Sequence, residues 1–193
     1  MADFLWKNYF KQTTEEKEIS AILKENILFA DLSSKQLKFV TNIVHLRKYR
    51  SGEVVFRQGE VGVGMYIIAS GHVNITAEET RTDKNKSENQ IIITKLALGD
   101  FFGELSLVEE NGRRSATAIA EEDTSLIGFF KPDLLEILER KPGVGVKIAL
   151  RLGEVIGRRL KETTDRVSIL EEQLKLFQSE SNTDGLVKSN TDG

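Results

Sequence analysis

The sequence predicts a mainly β domain, an antiparallel sandwich or barrel, with helices flanking it and a long helix at its C-terminal end. Three observations carry this. From Ser51 to Phe130, glycines at 52, 59, 62, 64, 71, 99, 103, 112 and 128 separate short apolar, β-branched runs. Strands of roughly 4–7 residues with a turn signal about every 8–12 are the mark of such a sheet pair. Helical periodicity holds on both sides of that region, before residue 51 and after Pro132. At 193 residues the chain accommodates one domain, or one domain with an appendage.

Taken in order, residues 2–25 read as a helix with Ile19, Ile22 and Leu23 on one stripe and an acidic patch around Glu15 and Glu16. The aromatic cluster Phe4, Leu5, Trp6, Tyr9 and Phe10 suits core packing of that helix, or docking on another protein. Residues 26–50 read as a second helical stretch. Asp31 or Ser33 can cap it, Leu37, Val40, Ile43 and Val44 follow at helix period, and His45 falls on its face.

The strand candidates are EVVF, MYIIA, HVNIT, IIITKL, SATAIA and TSLIGFF. Between two of them, TRTDKNKSENQ has no apolar residue and reads as a mobile hairpin loop. After Pro132 the segment DLLEILER returns to helical period until Pro142 and Gly143 break it. One long periodic segment then runs from about Val144 to Gln178, and the tail 179–193, which repeats NTDG, reads as disordered. The expected organisation is therefore an N-terminal helical extension over 1–25, a β domain with its flanking helices over 26–142, a long helix over 143–178 and a tail over 179–193.

Composition excludes several function classes. There is no cysteine, so disulfide scaffolds, thiol nucleophiles and cysteine-based metal sites are ruled out, and a reducing cytoplasmic setting is expected. Two histidines 27 residues apart offer no metal-ligand spacing. The net charge of −3 gives no global field to draw the chain onto nucleic acid or an anionic membrane. No run approaches the roughly 18 apolar residues of a membrane span, and MADFLWKNYF followed by TTEEKE lacks the features of a signal peptide. Arg151, Arg158, Arg159 and Lys161 form a basic helix face that suits solvent better than nucleic acid.

The stretch that carries chemistry is FFGELSLVEENGRRSATAIA, residues 101–120. It joins a strand end to Gly103, which lets backbone approach a ligand, and to the carboxylate of Glu104. Arg114 follows eleven residues after Gly103, and then the small residues Ser115 and Ala116 lead into a strand. Turn N–H groups with one guanidinium make a compact anion site, and the planar arginine fork matches a phosphate. A carboxylate repels phosphate but accepts a hydrogen bond from a sugar hydroxyl. One anion and one hydroxyl held side by side describe a ribose phosphate. Taken alone, Glu104 and Arg114 also fit a structural ion pair.

This stretch resembles the phosphate-binding cassette of cyclic-nucleotide-binding domains, FGE-[LI]-x-L followed after a short gap by R-[AST]-[AS]-[TVW]. YRSGEVVFRQGE, MYIIASGHVNI and LALGDFFGEL resemble the family's glycine-punctuated β-roll, a double-stranded β-helix or jelly roll. The resemblance implies that Gly103, Glu104, Leu105, Ser106, Arg114, Ser115 and Ala116 contact a cyclic nucleotide, with the ribose on Glu104. Two arginines compete for the phosphate. Arg114 fits the spacing of bacterial cAMP receptor proteins and Arg113 that of protein kinase regulatory subunits; the small residues after Arg114 favour it. Leu98 stands where the family commonly has proline and Val63 where it commonly has an acid. Both lie outside the cassette.

A second resemblance covers GRRLKETTDRVSIL, residues 157–170, which is similar to the dimerisation helix of the bacterial cAMP receptor family. There a Thr-Ser pair hydrogen-bonds adenine, one hydroxyl from each subunit; Thr163 and Thr164 keep both hydroxyls. The resemblance implies cAMP as ligand, with cGMP second because Ser115 carries a hydroxyl. Ile93 on the β-roll is the alternative holder of the base, and the threonines alternatively face solvent.

Spacing in the same helix supports a parallel homodimer. Ile156, Leu160, Thr163, Val167, Leu170, Leu174 and Phe177 recur at alternating intervals of 4 and 3, a heptad seam with Arg166 and Glu171 on g and e positions. Over residues 144–155 the apolar face is expected to pack on its own domain instead. The functional expectation is a non-enzymatic, cytoplasmic cAMP sensor without cofactor or metal. It would signal through the C-terminal helix to an unidentified partner protein. The alternatives are a cGMP-preferring sensor, or the sensing part of a cAMP-receptor-type transcription factor. DNA binding by this chain alone is not expected, since no helix-turn-helix follows the long helix.

Overall fold

Continuous apolar runs need cover on both faces, and MYIIA finds it. In the computed structural model, which describes the backbone of residues 2–78 and 90–188 and the side chains of 14–77 and 91–178, this run forms β3 (Gly64–Ser70). Met65, Tyr66, Ile67 and Ile68 are all buried. β3 sits in a sheet of order β1-β8-β3-β6, built from β1 (His45–Tyr49), β8 (Thr124–Phe130) and β6 (Phe101–Phe102). The second sheet has the order β2-β7-β4-β5, from β2 (Val54–Phe56), β7 (Thr117–Ala120), β4 (Val73–Glu78) and β5 (Gln90–Leu96). Every pairing is antiparallel. The mainly β class with flanking helices is thus the one expected.

One core is formed by Tyr66, Ile68 and Leu126 of the first sheet with Val73 and Ala118 of the second and Phe102 from β6. Met65, Ile67 and Phe129 are also buried, and Phe129 meets Phe29 edge-on at 5.8 Å between ring centroids. Phe29 belongs to a one-turn 3₁₀ helix, Ile27–Phe29, which follows α1 (Ala2–Glu25).

The second helical stretch is shorter than expected. α2 spans only Ser34–Thr41, and His45 lies on strand β1 instead of a helix face. Ser33 is the cap: its hydroxyl accepts from the Gln36 N–H while the Gln36 side chain accepts from the Ser33 N–H. This reciprocal box satisfies two end donors. Asp31 is used elsewhere. After Val44 the HLRKY segment pairs with β8 from His45↔Gly128 to Tyr49↔Thr124, so ladder bonds override the apparent helical period. The strand end expected before Gly103 is β6, only two residues long.

Phe130 ends β8 and caps α3 (Lys131–Arg140), its N–H donating to Asp133 Oδ2 at 2.7 Å. α4 begins at Pro142, where the fixed φ of proline suits a first turn. Val144, Ile148 and Leu152 are buried, as expected for this part of the helix. Arg151 grips Asp31 with both arms of its fork, Nε to Oδ2 at 2.7 Å and Nη2 to Oδ1 at 2.8 Å, and Lys147 Nζ donates to the Asp31 carbonyl. The bond from Arg151, helped by the charges of Arg151 and Lys147, holds the Asp31 carboxyl below the usual carboxylate range.

The helix continues to Lys188, ten residues past the point where the sequence predicted a disordered tail. Extending an existing helix adds a hydrogen bond for each residue fixed, and the entropic obstacle lies in nucleation, so a polar segment can follow an established helix. Residues 189–193, the expected loop TRTDKNKSENQ up to its last residue, Gln90, which begins β5, and the side chains of the N-terminal aromatic cluster lie outside the described residues. The chain divides into two units, Met1–Leu152 and Gly153–Gly193. Among the described residues, no helix is long and apolar enough to cross a membrane.

Candidate ligand site

β6 ends in Phe102, and the next residue must turn sharply. Gly103 does so at φ +78°, a left-handed conformation that side chains with a Cβ disfavour. It opens a one-turn 3₁₀ helix, Glu104–Leu107, that buries Glu104, Ser106 and Leu107 and leaves Leu105 exposed.

Across from this turn, residues 112–114 are stitched to the Arg57–Glu60 turn. The Arg114 N–H donates to the Glu60 carbonyl and the Gly59 N–H to the Arg114 carbonyl, both at 2.8 Å. This pairing turns consecutive arginines in different directions. Arg113 is exposed, with Nη1 on the Gly59 carbonyl at 2.7 Å. Arg114 is only 7% exposed.

Three hydrogen bonds from its two terminal nitrogens hold the Arg114 guanidinium. Nη1 donates to Ser106 Oγ at 2.9 Å and to the Gly103 carbonyl at 3.2 Å; Nη2 donates to the Gly64 carbonyl at 2.7 Å. Its Cζ lies 4.0 Å from the centroid of the Phe56 ring. Two glycines make room. A Cβ on Gly103 would lie 2.4 Å from Arg114 Nη1, and one on Gly62 would lie 2.0 Å from Ser106 Oγ and 3.2 Å from Arg114 Cζ.

Burial pulls the pKa of Arg114 below its ordinary value, while Tyr66, Glu60 and Glu104 favour its charge. Arginine remains ionised under such shifts, so the site holds a buried cation. Those three hydrogen bonds all end on neutral oxygens. A guanidinium has five N–H donors. Nε–H and the second Nη2–H, unused by these bonds, are the pair that can donate side by side to two oxygens of one anion.

The structure therefore brings Gly103, Glu104, Ser106 and Arg114 together, with Leu105 at the exposed edge of the same turn and Ser115 and the buried Ala116 directly after Arg114. Ile93, on β5, is 59% exposed. Thr163 and Thr164 lie in the other unit, their hydroxyls donating to the Arg159 and Leu160 carbonyls at 2.8 and 3.0 Å. Phe56, Gly62, Gly64 and Tyr66 were not anticipated at the site. EVVF marks Phe56 as a strand residue, but the register irregularity between Val54 and Phe56 against β7, which sets its facing, has no signature in the sequence.

Residues 46–141 match the family model described as cyclic nucleotide-binding domain. This segment belongs to that family. The cyclic AMP receptor protein of Thermus thermophilus is 33% identical over 148 residues, covering 77% of this chain and 63% of the relative. The cAMP-dependent protein kinase regulatory subunit of Blastocladiella emersonii is 32% identical over 117 residues, covering 60% of this chain and 27% of the relative. The crystal structure of the Thermus thermophilus catabolite activator protein superposes with a TM-score of 0.65 at 30% identity, over 76% of this chain and 63% of that one. The chain spans less than two thirds of the length of each of these relatives. It carries a cyclic nucleotide-binding regulatory domain of the kind found in cAMP receptor proteins and kinase regulatory subunits.

Proposed function

We propose that this chain is a cAMP sensor, in which Arg114 receives the cyclic phosphate and Glu104 accepts a hydrogen bond from the ribose 2′-hydroxyl. The observation that carries this reading is the buried Arg114 fork. Its charge is paired only with neutral oxygens through Nη1 and Nη2, and its side-on donors match two phosphate oxygens. Gly103, Leu105, Ser106, Ser115 and Ala116 form the surrounding wall, whose small members permit close approach. No cofactor or metal takes part.

By the resemblance of residues 157–170 to the cAMP receptor helix, the base falls to Thr163 and Thr164 of the C-terminal helix. Each hydroxyl already donates its proton within its own helix, so what remains on offer is a lone pair. Adenine presents an amino donor where guanine presents a carbonyl acceptor. Acceptor-only threonines thus favour cAMP over cGMP. The homodimer forms along the seam from Ile156 to Phe177, in which Leu160, Leu170, Leu174 and Phe177 are more than half exposed on a single chain. Occupancy is read at the C-terminal helix by a partner protein in the cytoplasm; in the alternative reading it is relayed to DNA by a further domain.

Titration calorimetry with cAMP, cGMP and a cyclic dinucleotide tests this. cAMP should bind tightest, and Thr163→Val with Thr164→Val should weaken cAMP and narrow its advantage over cGMP. Unchanged affinity and selectivity in that double variant would reduce the helix to a dimer strut, with the base left to β-roll residues such as Ile93. Tightest binding of the dinucleotide would overturn the assignment of ligand.

A further inference from the structure

We propose that Phe56 is a positioning residue for the anion site: its ring is the shelf that holds the Arg114 guanidinium in the orientation that receives phosphate. This rests on the cAMP reading above and extends it to a residue outside the cassette motif.

The hydrogen bonds of Arg114 restrain its plane along two edges only, through Nη1 and Nη2. Without a third restraint the plane could tip about that line and swing Nε–H away from the incoming anion. Phe56 supplies the restraint. The guanidinium carbon lies 4.0 Å from its ring centroid, well inside the roughly 6 Å reach of a cation–π contact.

Phe56 is itself backed by other rings. It meets Tyr66 at 6.2 Å and Phe102 at 5.7 Å between centroids, and Tyr66 and Phe102 stack on each other at 5.7 Å. Tyr66 in turn meets Phe130 edge-on at 5.9 Å. Tyr66 and Phe102 are almost fully buried, so the shelf has a rigid support. Its chemistry also suits the task. An aromatic face offers partial negative charge to the cation without engaging any N–H, whereas a carboxylate there would neutralise Arg114 and compete with phosphate. The site keeps its attraction for an anion because Phe56 stabilises the charge without pairing it.

The test compares Phe56→Leu with Phe56→Tyr, using cAMP as the probe and the 15Nε–1Hε resonance of Arg114 in the ligand-free protein as the spectroscopic readout. Phe56→Leu should weaken cAMP about 2- to 30-fold, equivalent to about 0.5–2 kcal/mol, and Phe56→Tyr should restore most of it. The Arg114 resonance should lose its ring-current shift in Phe56→Leu and keep it in Phe56→Tyr, while backbone spectra of both stay native elsewhere. Wild-type affinity in Phe56→Leu, or an unshifted Arg114 resonance in it, would overturn the shelf while leaving the cAMP reading intact. Equal weakening in both variants would likewise overturn it, since a general packing defect does not distinguish tyrosine from leucine. Failure of the wild-type protein to bind cAMP would remove the reading on which the shelf rests.

Discussion

Gly103 and Arg114 are coupled through a single steric contact. At φ +78° an alanine would cost about 1–2 kcal/mol of backbone strain, and its Cβ would also sit 2.4 Å from Arg114 Nη1. Gly103→Ala should therefore lower the unfolding free energy by that amount and weaken cAMP by more than about tenfold, because the guanidinium must leave its seat. Chemical denaturation with calorimetry on the same samples checks both. Intact cAMP affinity would mean that the seat in the ligand-free structure is not the binding orientation. Much of this neighbourhood is legible through the resemblance of residues 101–120 to the cyclic-nucleotide cassette, since Glu104 and Arg114 taken alone also fit a structural ion pair. The choice of Arg114 over Arg113 is legible only through the small residues that follow. Phe56 is not legible, because nothing in EVVF announces an arginine arriving from residue 114.

Among the elements, the longer apolar, β-branched runs between glycines were easy to read, and HLRKY was not. Three of the five residues of HLRKY are charged or polar and the strand is only partly buried, so its pairing with β8 left no alternating apolar signal. β6 has two residues, too few for any periodicity. α4 was legible because a heptad seam persists from Ile156 to Phe177. Leu170→Glu would place a carboxylate in that seam, and sedimentation should report monomers with a β-roll that still unfolds cooperatively. A wild-type chain that sediments as a monomer at tens of micromolar would remove the seam as an interface.

The start of α4 carries a pH-dependent clasp. Asp31 is held below its ordinary pKa by Arg151, so the folded state binds the proton less readily than the unfolded chain. The clasp's contribution is complete above the unfolded carboxylate value of about 4 and is lost as pH falls through the lower folded value. The stability gap between wild type and Asp31→Asn should accordingly be constant from about pH 5 to 7 and shrink below about pH 4. It should also narrow in high salt, since the pair is partly solvated. A gap independent of pH would assign the effect of the substitution to packing instead of charge.

For the molecule as a whole, a net charge of −3 surrounds a site whose essential group is a buried cation. The net charge supplies no global attraction for an anionic ligand, which leaves that task to the local fork. The most direct test is titration of cAMP into the wild-type protein, Arg114→Ala and Arg113→Ala under identical conditions. Removing one partner of a buried charge pair costs about 2–5 kcal/mol, on the order of 30- to 4,000-fold in affinity. Arg114→Ala should lose binding at micromolar cAMP, while Arg113→Ala, exposed and bonded to the Gly59 carbonyl, should change it by a few-fold at most. A larger loss in Arg113→Ala than in Arg114→Ala would contradict the account.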